Sequence, residues 1–356
     1  MSSKQFKKAG VIMNVCLLHV AADTTNPGVV GPIFSDGSFE FIPIKNVFGL
    51  EARTYADFPA RNKQYSNTLR DLLPSYVAAL HPHPDPDFNS YTYGEPNNPE
   101  MRPGVLRMLK PGDILFFVSS LAPYDPVVYK ARDTMLTLHQ RGKKNKYVVG
   151  FFTVKGVVQV YAVKSVPKLS LALLNLLTLL EEGEAPIELK DLMSELQILQ
   201  DMGYVSKTEN TYELTDEGGR TAQGLSEAWG MQKNEDEITK FLEQGLFSIE
   251  PITGSVSEDV IKANHHFKRL RPVDWDAFIV VAGDSERSAL LTHAVRLTEH
   301  FERFSFKLNQ LGQTILKRNL DTLRGVRWLD EDVGRLLAEA IAKTNPNLTF
   351  DLPSCF

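Results

Sequence analysis

The sequence contains very little cysteine: Cys16 and Cys355 are the only two in 356 residues. Two cysteines so far apart indicate neither a disulfide framework nor a zinc site, so we expect a reducing, cytoplasmic setting. Long apolar runs are also missing, and none approaches the roughly 18 residues of a membrane span. Residues 11–22 imitate the apolar part of a signal peptide, but Asn14 and His19 interrupt them, and we interpret them as a buried strand. We therefore expect no membrane partner.

The common nucleotide-binding and hydrolase motifs are missing as well. The sequence has no P-loop, no dinucleotide-binding glycine pattern in context and no nucleophile elbow. Hydrophobic residues make up 43% and charged residues 23% of the chain, as in an ordinary globular protein with room for two or three domains. Composition thus leaves the function open, and the less common motifs have to indicate it.

Acidic and basic residues are unevenly distributed. Residues 165–260 contain six Lys/Arg against nineteen Asp/Glu, a net charge of −13, whereas the remainder carries a net charge of +8. The overall net charge of −5 conceals this division. We expect the two parts to face different partners.

Turn and strand signals dominate residues 1–164. Pro111-Gly112 predicts a tight turn, and Asp36-Gly37 predicts a hairpin with a two-residue loop. Runs rich in β-branched and aromatic residues predict strands at 11–20, 38–44, 114–118 and 147–163. The turn with the last two strands resembles the core of PUA, ASCH, EVE and YTH domains. Those small β-barrels mostly hold nucleic acid or a single, often modified, base.

The acidic segment has a different pattern. Leucine spacing predicts helices at 169–180 and 187–199, followed by a turn at 202–205 and a short strand at 211–214. This order is typical of a winged helix. The presumed recognition helix is acidic, and phosphates would repel it, so we expect a protein partner or self-association there instead of DNA. Downstream, we predict a strand at 275–282, a helix from Ser285, and a helical C-terminal segment.

Several motifs of the first segment occur in a fixed order. They are G-P-I-F-x-D-G-S-F-E-F-I-P-I (31–44), R-T-Y (53–55), H-P-D-P-D-F (83–88), T-Y-G (92–94), L-K-P-G-D-I-L-F-F (109–117) and V-V-G-F-F-T-V (148–154). This series resembles the third type of nucleotide-modification-associated domain, a family linked to DNA base hypermodification. N-H-H-F-K-R (264–269) and V-V-A-G-D-S-E-R-S-A-L-L (280–291) resemble its closing segment. The resemblance implies a role in prokaryotic DNA modification or its recognition, with phage defence as one setting.

His83, Asp85 and Asp87 form the run most suited to acid–base work or a divalent cation. The prolines at 82, 84 and 86 favour an extended, polyproline-like backbone, in which residues two apart do not share one direction. We therefore predict no three-ligand metal cluster from this run alone, and interpret it as a rigid polar loop that delivers one or two groups, to a metal or to other chemistry. A structured surface loop without function is the alternative.

Base binding is predicted for three places. Tyr91 and Tyr93, beside a glycine, suit base stacking, although half-buried packing explains them equally well. Asp113 follows a Pro-Gly turn, where its carboxylate commonly caps backbone amides. The pair His265 and His266, with Lys268 close by, suits polar contacts to a base or a phosphate. His266 is also a candidate for acid–base catalysis.

Phosphate binding is predicted for a basic segment before the second core strand. Lys143, Lys144 and Lys146 are its central members, and Lys130, Arg132 and Arg141 precede them; a solvated loop is the alternative. Lys110, in the Pro-Gly turn, could also reach a phosphate. Arg287 would lie at a helix N-terminus, where amides attract phosphate, although Ser285 as a helix cap explains this run without a ligand.

We predict an α+β protein with a PUA-like small β-barrel, an inserted winged-helix-like domain and a helical C-terminus. The barrel domain is discontinuous, at 1–164 and 256–300, around the acidic insertion 165–255, and 301–356 form the C-terminal segment. The leading hypothesis is a protein that binds nucleic acid, DNA rather than RNA, or a modified base. The alternative is an enzyme of base hypermodification, with or without the assistance of a metal, that uses His83, Asp85, Asp87 and His266 as acid–base or metal-binding groups. The sequence indicates no particular cofactor.

Overall fold

A computed structural model describes residues 14–21, 27–45, 53–96, 103–162, 193–208, 211–220, 247–264, 277–302, 305–316, 326–349 and 351–355. The strands are β1 Val15–His19, β2 Gly31–Ile33, β3 Ile44–Lys45, β4 Pro82–His83, β5 Thr92–Pro96, β6 Ile114–Pro123, β7 Asn145–Ala162, β8 Val205–Thr208, β9 Thr211–Leu214, β10 Phe247–Gly254, β11 Ala277–Gly283, β12 Ala289–Arg296, β13 Thr298–Glu302, β14 Ser305–Leu308 and β15 Val326–Leu329. The helices are α1 Ser75–Ala78, α2 Pro103–Leu106, α3 Pro126–Ala131, α4 Asp133–Arg141, α5 Met193–Asp201, α6 Glu258–Ala263, α7 Gln310–Leu316 and α8 Glu331–Thr344. Short 3-10 turns cover Tyr55–Asp57, Leu69–Leu72 and Leu352–Cys355. None of the described helices has the length and apolar content to cross a bilayer.

β7 is the central strand of a nine-stranded sheet. Its first half pairs with β6 and β12, and its second half pairs with β10 and β11. The main strand order is β15-β1-β6-β7-β11-β5, and β2 pairs with the far end of β6. β1 and β2 run parallel to β6, whereas the other pairs of this sheet are antiparallel.

The sheet is covered on both faces, which explains its nearly continuous apolar strands. In β6, nine of the ten residues are buried. Strands buried on both faces lose the alternation of apolar and polar residues that a half-exposed strand shows. Phe117 and Phe152 meet edge to face on neighbouring strands, with ring centroids 4.7 Å apart, near the centre of this core.

The mixed α+β class predicted from the sequence is confirmed. The strand predicted at 114–118 extends to Pro123, and the one predicted at 147–163 begins at Asn145. Within the described residues the sheet is open, because its end strands β15 and β5 do not pair with each other. The PUA-like barrel therefore stays a prediction.

The hairpin predicted at Asp36-Gly37 forms, but with a three-residue loop. The amide of Gly37 donates to the Phe34 carbonyl (3.0 Å), and the amide of Phe34 donates to the Ser38 carbonyl (2.8 Å). Gly37 has a φ of 87°, the left-handed conformation that three-residue hairpin loops place before the returning strand.

The helix predicted from Ser285 is wrong. β11 is followed by a turn and then by β12, and both strands pair with β7. The Asp284 side-chain carboxylate accepts from the amide of Glu286 (3.0 Å). The backbone carbonyl of Asp284 accepts from the amide of Arg287 (3.1 Å). These amides close the turn and do not form a helix N-terminus. Pairing with β7 outweighs the local helix signal of this run.

The prediction of a helical C-terminus is only partly right. α7 and α8 are present, and α8 buries Leu337 and Ile341, whereas Leu336 is 42% exposed. However, β13 and β14 form a hairpin, and β15 pairs with β1 in the central sheet. A short strand at the edge of a sheet carries too little periodicity to be separated from flanking helical patterns.

In the acidic segment, α5 is followed by a hairpin of β8 and β9. The helix predicted at 169–180 and the beginning of the one predicted at 187–199 lie outside the described residues, and the winged helix stays a prediction. β10, at the end of the predicted insertion, pairs with β7. The sheet thus takes strands from all three predicted segments, and the division into domains stays a prediction.

Candidate functional site

Residues 82–94, here called the motif loop, carry most of the residues predicted for chemistry. The amide of Asp85 donates to the carbonyl of His83 (2.9 Å), which closes a tight turn. The turn brings His83 Nε2 to 4.0 Å from Asp85 Oδ2, and the side chains are only 16% and 6% exposed. The expectation that residues two apart point in different directions is therefore wrong for this pair, since the backbone bends between them instead of staying extended.

The Asp85 carboxylate is held by the other end of the loop. Its Oδ1 accepts a hydrogen bond from the amide of Gly94 at 3.0 Å. A carboxylate that accepts from a backbone amide is fixed in orientation. His83 therefore lies beside an oriented acid, at a distance that allows an ion pair when the imidazole is protonated.

Asp87 closes the turn at the tip of the motif loop. Its backbone exchanges two hydrogen bonds with Thr92, at 2.9 and 3.1 Å. Its carboxylate accepts from the amide of Asn89 and from the hydroxyl of Ser90, both at 2.8 Å. Both carboxylate oxygens thus stabilise the turn.

Phe88 anchors the motif loop to the sheet. Its ring centroid lies 5.6 Å from that of Phe117 and 5.3 Å from that of Phe152, with the rings edge to face. A Cβ atom on Gly150 would come within 2.6 Å of this ring and 2.8 Å of the Ala289 carbonyl oxygen. Gly150 is therefore required because the motif loop rests on the sheet at this point.

The two tyrosines predicted to stack on a base differ in exposure. Tyr93 is only 2% exposed, and its hydroxyl donates to the Glu95 carboxylate. Tyr91 is half-buried with a φ of 50°, and its carbonyl accepts from the amide of Gly283 at 2.7 Å. Tyr91 is therefore the more accessible residue of the two, and its ring meets that of Phe152 edge to face with centroids 6.1 Å apart.

Asn264 joins a second motif to this loop. It follows α6 directly and is fully buried, and its side-chain amide donates to the Thr92 hydroxyl at 2.8 Å. The Thr92 hydroxyl is also 2.8 Å from that of Ser90. His265, His266 and Lys268 lie outside the described residues, but Asn264, the residue before them, contacts the motif loop.

Asp113 holds the Pro-Gly turn together. It is 3% exposed and accepts from the backbone and side-chain amides of Asn14, at 2.8 and 3.1 Å, and from the amide of Lys110 at 2.8 Å. The capping of backbone amides accounts for two of these bonds, and the bond from the Asn14 side chain adds to it. Lys110 itself is exposed on the turn.

A polar cluster missed by sequence reasoning lies at the end of β1, and we call it the sheet-end cluster: His19, Ser120 and Lys146. Lys146 Nζ lies 2.7 Å from Ser120 Oγ and 2.5 Å from His19 Nε2. Ser120 and Lys146 pair directly across β6 and β7, and His19 pairs with Val118, two residues before Ser120. The strand period of two therefore puts all three side chains on one face.

The basic segment predicted to bind phosphate is divided by the structure. Lys144 and Lys146 are only 8% and 6% exposed, whereas Lys143 is exposed at the end of α4. Arg287, predicted for the same role, is exposed in the turn between β11 and β12, and its guanidinium donates to Cys355 Sγ at 3.1 Å. These residues do not converge on one surface.

A different set of cations lines a cavity of about 580 Å³, which we call the basic groove. Arg70, Lys130 and Arg132 contribute the positive charge, and Asp133 is the acidic residue of the lining. Sequence reasoning included Lys130 and Arg132 in the basic segment but missed Arg70, about sixty residues earlier. No group of three potential metal ligands occurs among the described residues.

The family described as nucleotide modification associated domain 3 matches residues 14–240. The chain belongs to this family. The resemblance inferred from the ordered motifs is thus confirmed, and the match includes the motif loop, β6, β7 and the basic groove. Comparison with curated proteins and with solved structures gave no match to this chain.

The matched range adds one fact about the organisation of this nucleotide-modification-associated chain. It runs through the acidic segment as far as residue 240 and stops before Asn264. Asn264 and the histidines after it were assigned to the family's closing segment from motifs alone. Their connection to the matched range is structural, through the hydrogen bond to Thr92.

Proposed function

We propose that this protein binds DNA, in preference to RNA, and places a modified base against the motif loop. The observation that carries the proposal is the Asn264–Thr92 hydrogen bond, because it joins two polar motifs that are far apart in sequence. The family description, which concerns nucleotide modification, supports the same reading.

The motif loop offers the base both a ring and polar edges. The half-buried Tyr91 can stack on a base, an interaction worth roughly 1–3 kcal/mol. His83, whose Nε2 lies 4.0 Å from Asp85 Oδ2, can then bond to the edge of the base. Reading by stacking and edge contacts is how proteins hold a base that has left the duplex.

The test is a substitution at Tyr91 that respects its backbone. Tyr91→Asn removes the ring but tolerates a φ of 50°, and Tyr91→Phe retains the ring. We expect Tyr91→Asn to weaken binding of oligonucleotides with modified bases by about 5- to 150-fold, equivalent to 1–3 kcal/mol, and Tyr91→Phe to bind like the wild type. Fluorescence anisotropy measures these affinities. Tyr212→Asn is the control, because Tyr212 is also half-buried. Equal affinities for all three variants would contradict the proposal.

A second candidate function, an enzyme of base modification, is favoured by the approach of His83 to Asp85. An imidazole next to an oriented carboxylate can act as a general base, which contributes about 10²–10⁴-fold to a rate. Asp85→Asn removes the charge but keeps an oxygen for the Gly94 amide. Product formation from modified and unmodified oligonucleotides, with and without divalent ions, decides between the functions. Turnover that Asp85→Asn abolishes without loss of binding would establish catalysis.

The acidic segment fits a protein partner better than DNA. Its net charge of −13 over residues 165–260 would repel phosphates, so we propose that it mediates contact with another protein or with a second copy of this chain. Sedimentation of the whole chain at several concentrations tests the second possibility.

A further inference from the structure

The basic groove is built by cations from separate elements. Arg70 belongs to the 3-10 turn Leu69–Leu72, Lys130 belongs to α3, and Arg132 lies between α3 and α4. All three line one cavity of about 580 Å³. Folding thus concentrates positive charge that the sequence separates by about sixty residues.

Hydrogen bonds hold the groove in its present shape. Arg132 Nη1 donates to the carbonyl of Arg70 at 2.5 Å, which links the two sides. The Asp133 carboxylate accepts from the hydroxyl and the amide of Ser75, at 2.9 and 3.2 Å. Arg132 and Asp133 have φ values of 41° and 44°, a conformation that residues other than glycine seldom adopt. Such backbone is unfavourable and persists only where the surroundings fix it.

The chemistry of the lining selects the kind of ligand. Alanines form much of the surface, and none of the described lining residues is aromatic. The hydroxyls of Thr54 and Ser75 already donate to the carboxylates of Asp57 and Asp133, so the free donors are those of the cations. The groove therefore offers charge and hydrogen-bond donors but no stacking surface. Sites for small organic ligands, in contrast, are mostly apolar and aromatic. Asp133, the acidic residue of the lining, is engaged by Ser75.

We propose that the basic groove binds phosphate groups of the nucleic-acid strand whose base lies at the motif loop. The inference rests on the proposed function and adds the surface that holds the backbone. Guanidinium groups match phosphate oxygens in geometry, and neutralising a phosphate releases condensed counterions. Affinity at this surface depends on salt and not on base sequence.

Charge reversal of the two exposed groove cations tests the proposal on the full chain. We expect Arg70→Glu with Lys130→Glu to weaken oligonucleotide binding at least tenfold at low salt. The slope of log affinity against log salt should fall by about 0.7–0.9 for each phosphate that the groove no longer neutralises. Lys155→Glu with Lys343→Glu is the matched control, because both lysines are exposed, neither lines the groove, and the change in net charge is the same.

A steric variant separates the groove from overall charge. Ala131 is exposed in the lining at the end of α3, so that Ala131→Phe would fill the groove without changing any charge. We expect the same reduction of affinity and of salt slope as for the charge reversal. Thermal unfolding of each variant establishes that it is folded.

The outcomes distinguish this inference from the proposed function. Groove variants that match the control pair in affinity and slope overturn the groove, and leave the proposed function standing if Tyr91→Asn weakens binding. If the groove variants bind more weakly but Tyr91→Asn binds like the wild type, the groove is supported and the placement of the base is overturned. An acidic peptide that binds as tightly as the oligonucleotide overturns the assignment to nucleic acid. A wild-type chain that binds no oligonucleotide overturns both.

Discussion

Two pairs of cations that are close in sequence lie in different environments. Lys130 and Arg132 line the basic groove. Lys144, just before β7, and Lys146, in β7, are instead only 8% and 6% exposed. The sequence suggested one phosphate-binding segment. The difference shows that a run of like charges fixes no common surface when a helix separates its two ends.

The two environments have different physical requirements. An exposed lysine keeps its hydration, so the groove can present charge at little cost in stability. A buried ammonium has lost water and needs hydrogen-bond partners in return. Lys146 has such partners in Ser120 and His19, at 2.7 and 2.5 Å. Its role is therefore tied to the integrity of the sheet.

The largest expected effect is the loss of Lys146. Lys146→Met removes the hydrogen bonds to the buried Ser120 and the half-buried His19, and a buried hydrogen bond that loses its partner costs roughly 1–3 kcal/mol. We expect the free energy of unfolding to fall by about 2–4 kcal/mol, against about 0.5 kcal/mol or less for Lys130→Met in the groove. Urea denaturation measures both. A Lys146→Met protein as stable as wild type would show that dehydration of the ammonium offsets its hydrogen bonds.

Two glycines, one before and one after Lys144 and Lys146 in the sequence, sharpen the comparison. A Cβ on Gly150 would meet the Phe88 ring at 2.6 Å, whereas one on Gly142, at the end of α4, would meet no atom within 4 Å. We expect Gly150→Ala to lower the free energy of unfolding by about 1–3 kcal/mol through overpacking, and to disturb the motif loop. Gly142→Ala should leave it almost unchanged. Chemical denaturation of both variants tests this, and equal stabilities would mean that Phe88 moves aside without cost.

The smallest effect concerns the reactivity of the two cysteine thiols, which is measured on the chain without any substitution. Burial, and to a lesser degree the Asp113 carboxylate, raise the pKa of the Cys16 thiol, whereas Cys355 is partly exposed. Because only the thiolate reacts, Cys16 should stay unmodified by a thiol reagent at pH 8 in the folded protein, and Cys355 should react. Mass spectrometry counts the labels. Rapid labelling of Cys16 would show that the sheet opens locally at β1.

Local patterns predicted the parts of the fold that depend on local chemistry. The Pro-Gly turn capped by Asp113 and the strands β6 and β7 follow from residue type and run length. The ordered motifs also predicted the family. The strand β12 could not be predicted in this way, because pairing with β7 decides it.

The candidate sites were predictable only in part. The residues of the motif loop were recognised, but the turn that brings His83 to Asp85 depends on a backbone hydrogen bond that extended-chain reasoning missed. His19 and Ser120 meet Lys146 through the register of three strands, and Arg70 reaches Lys130 through the packing of distant turns. Such long-range placement leaves no spacing signal in a single sequence.

The central position of β7 has a consequence for the order of folding. The ribosome completes β7 at Ala162, but three of its four partner strands begin only at Phe247 and beyond. Until then, hydrogen-bonding groups of an apolar strand have no native partner, the condition under which nascent chains aggregate. Contacts of such long sequence separation also slow folding. Synthesis of this protein is therefore expected to depend on protection of β7 until the later strands emerge.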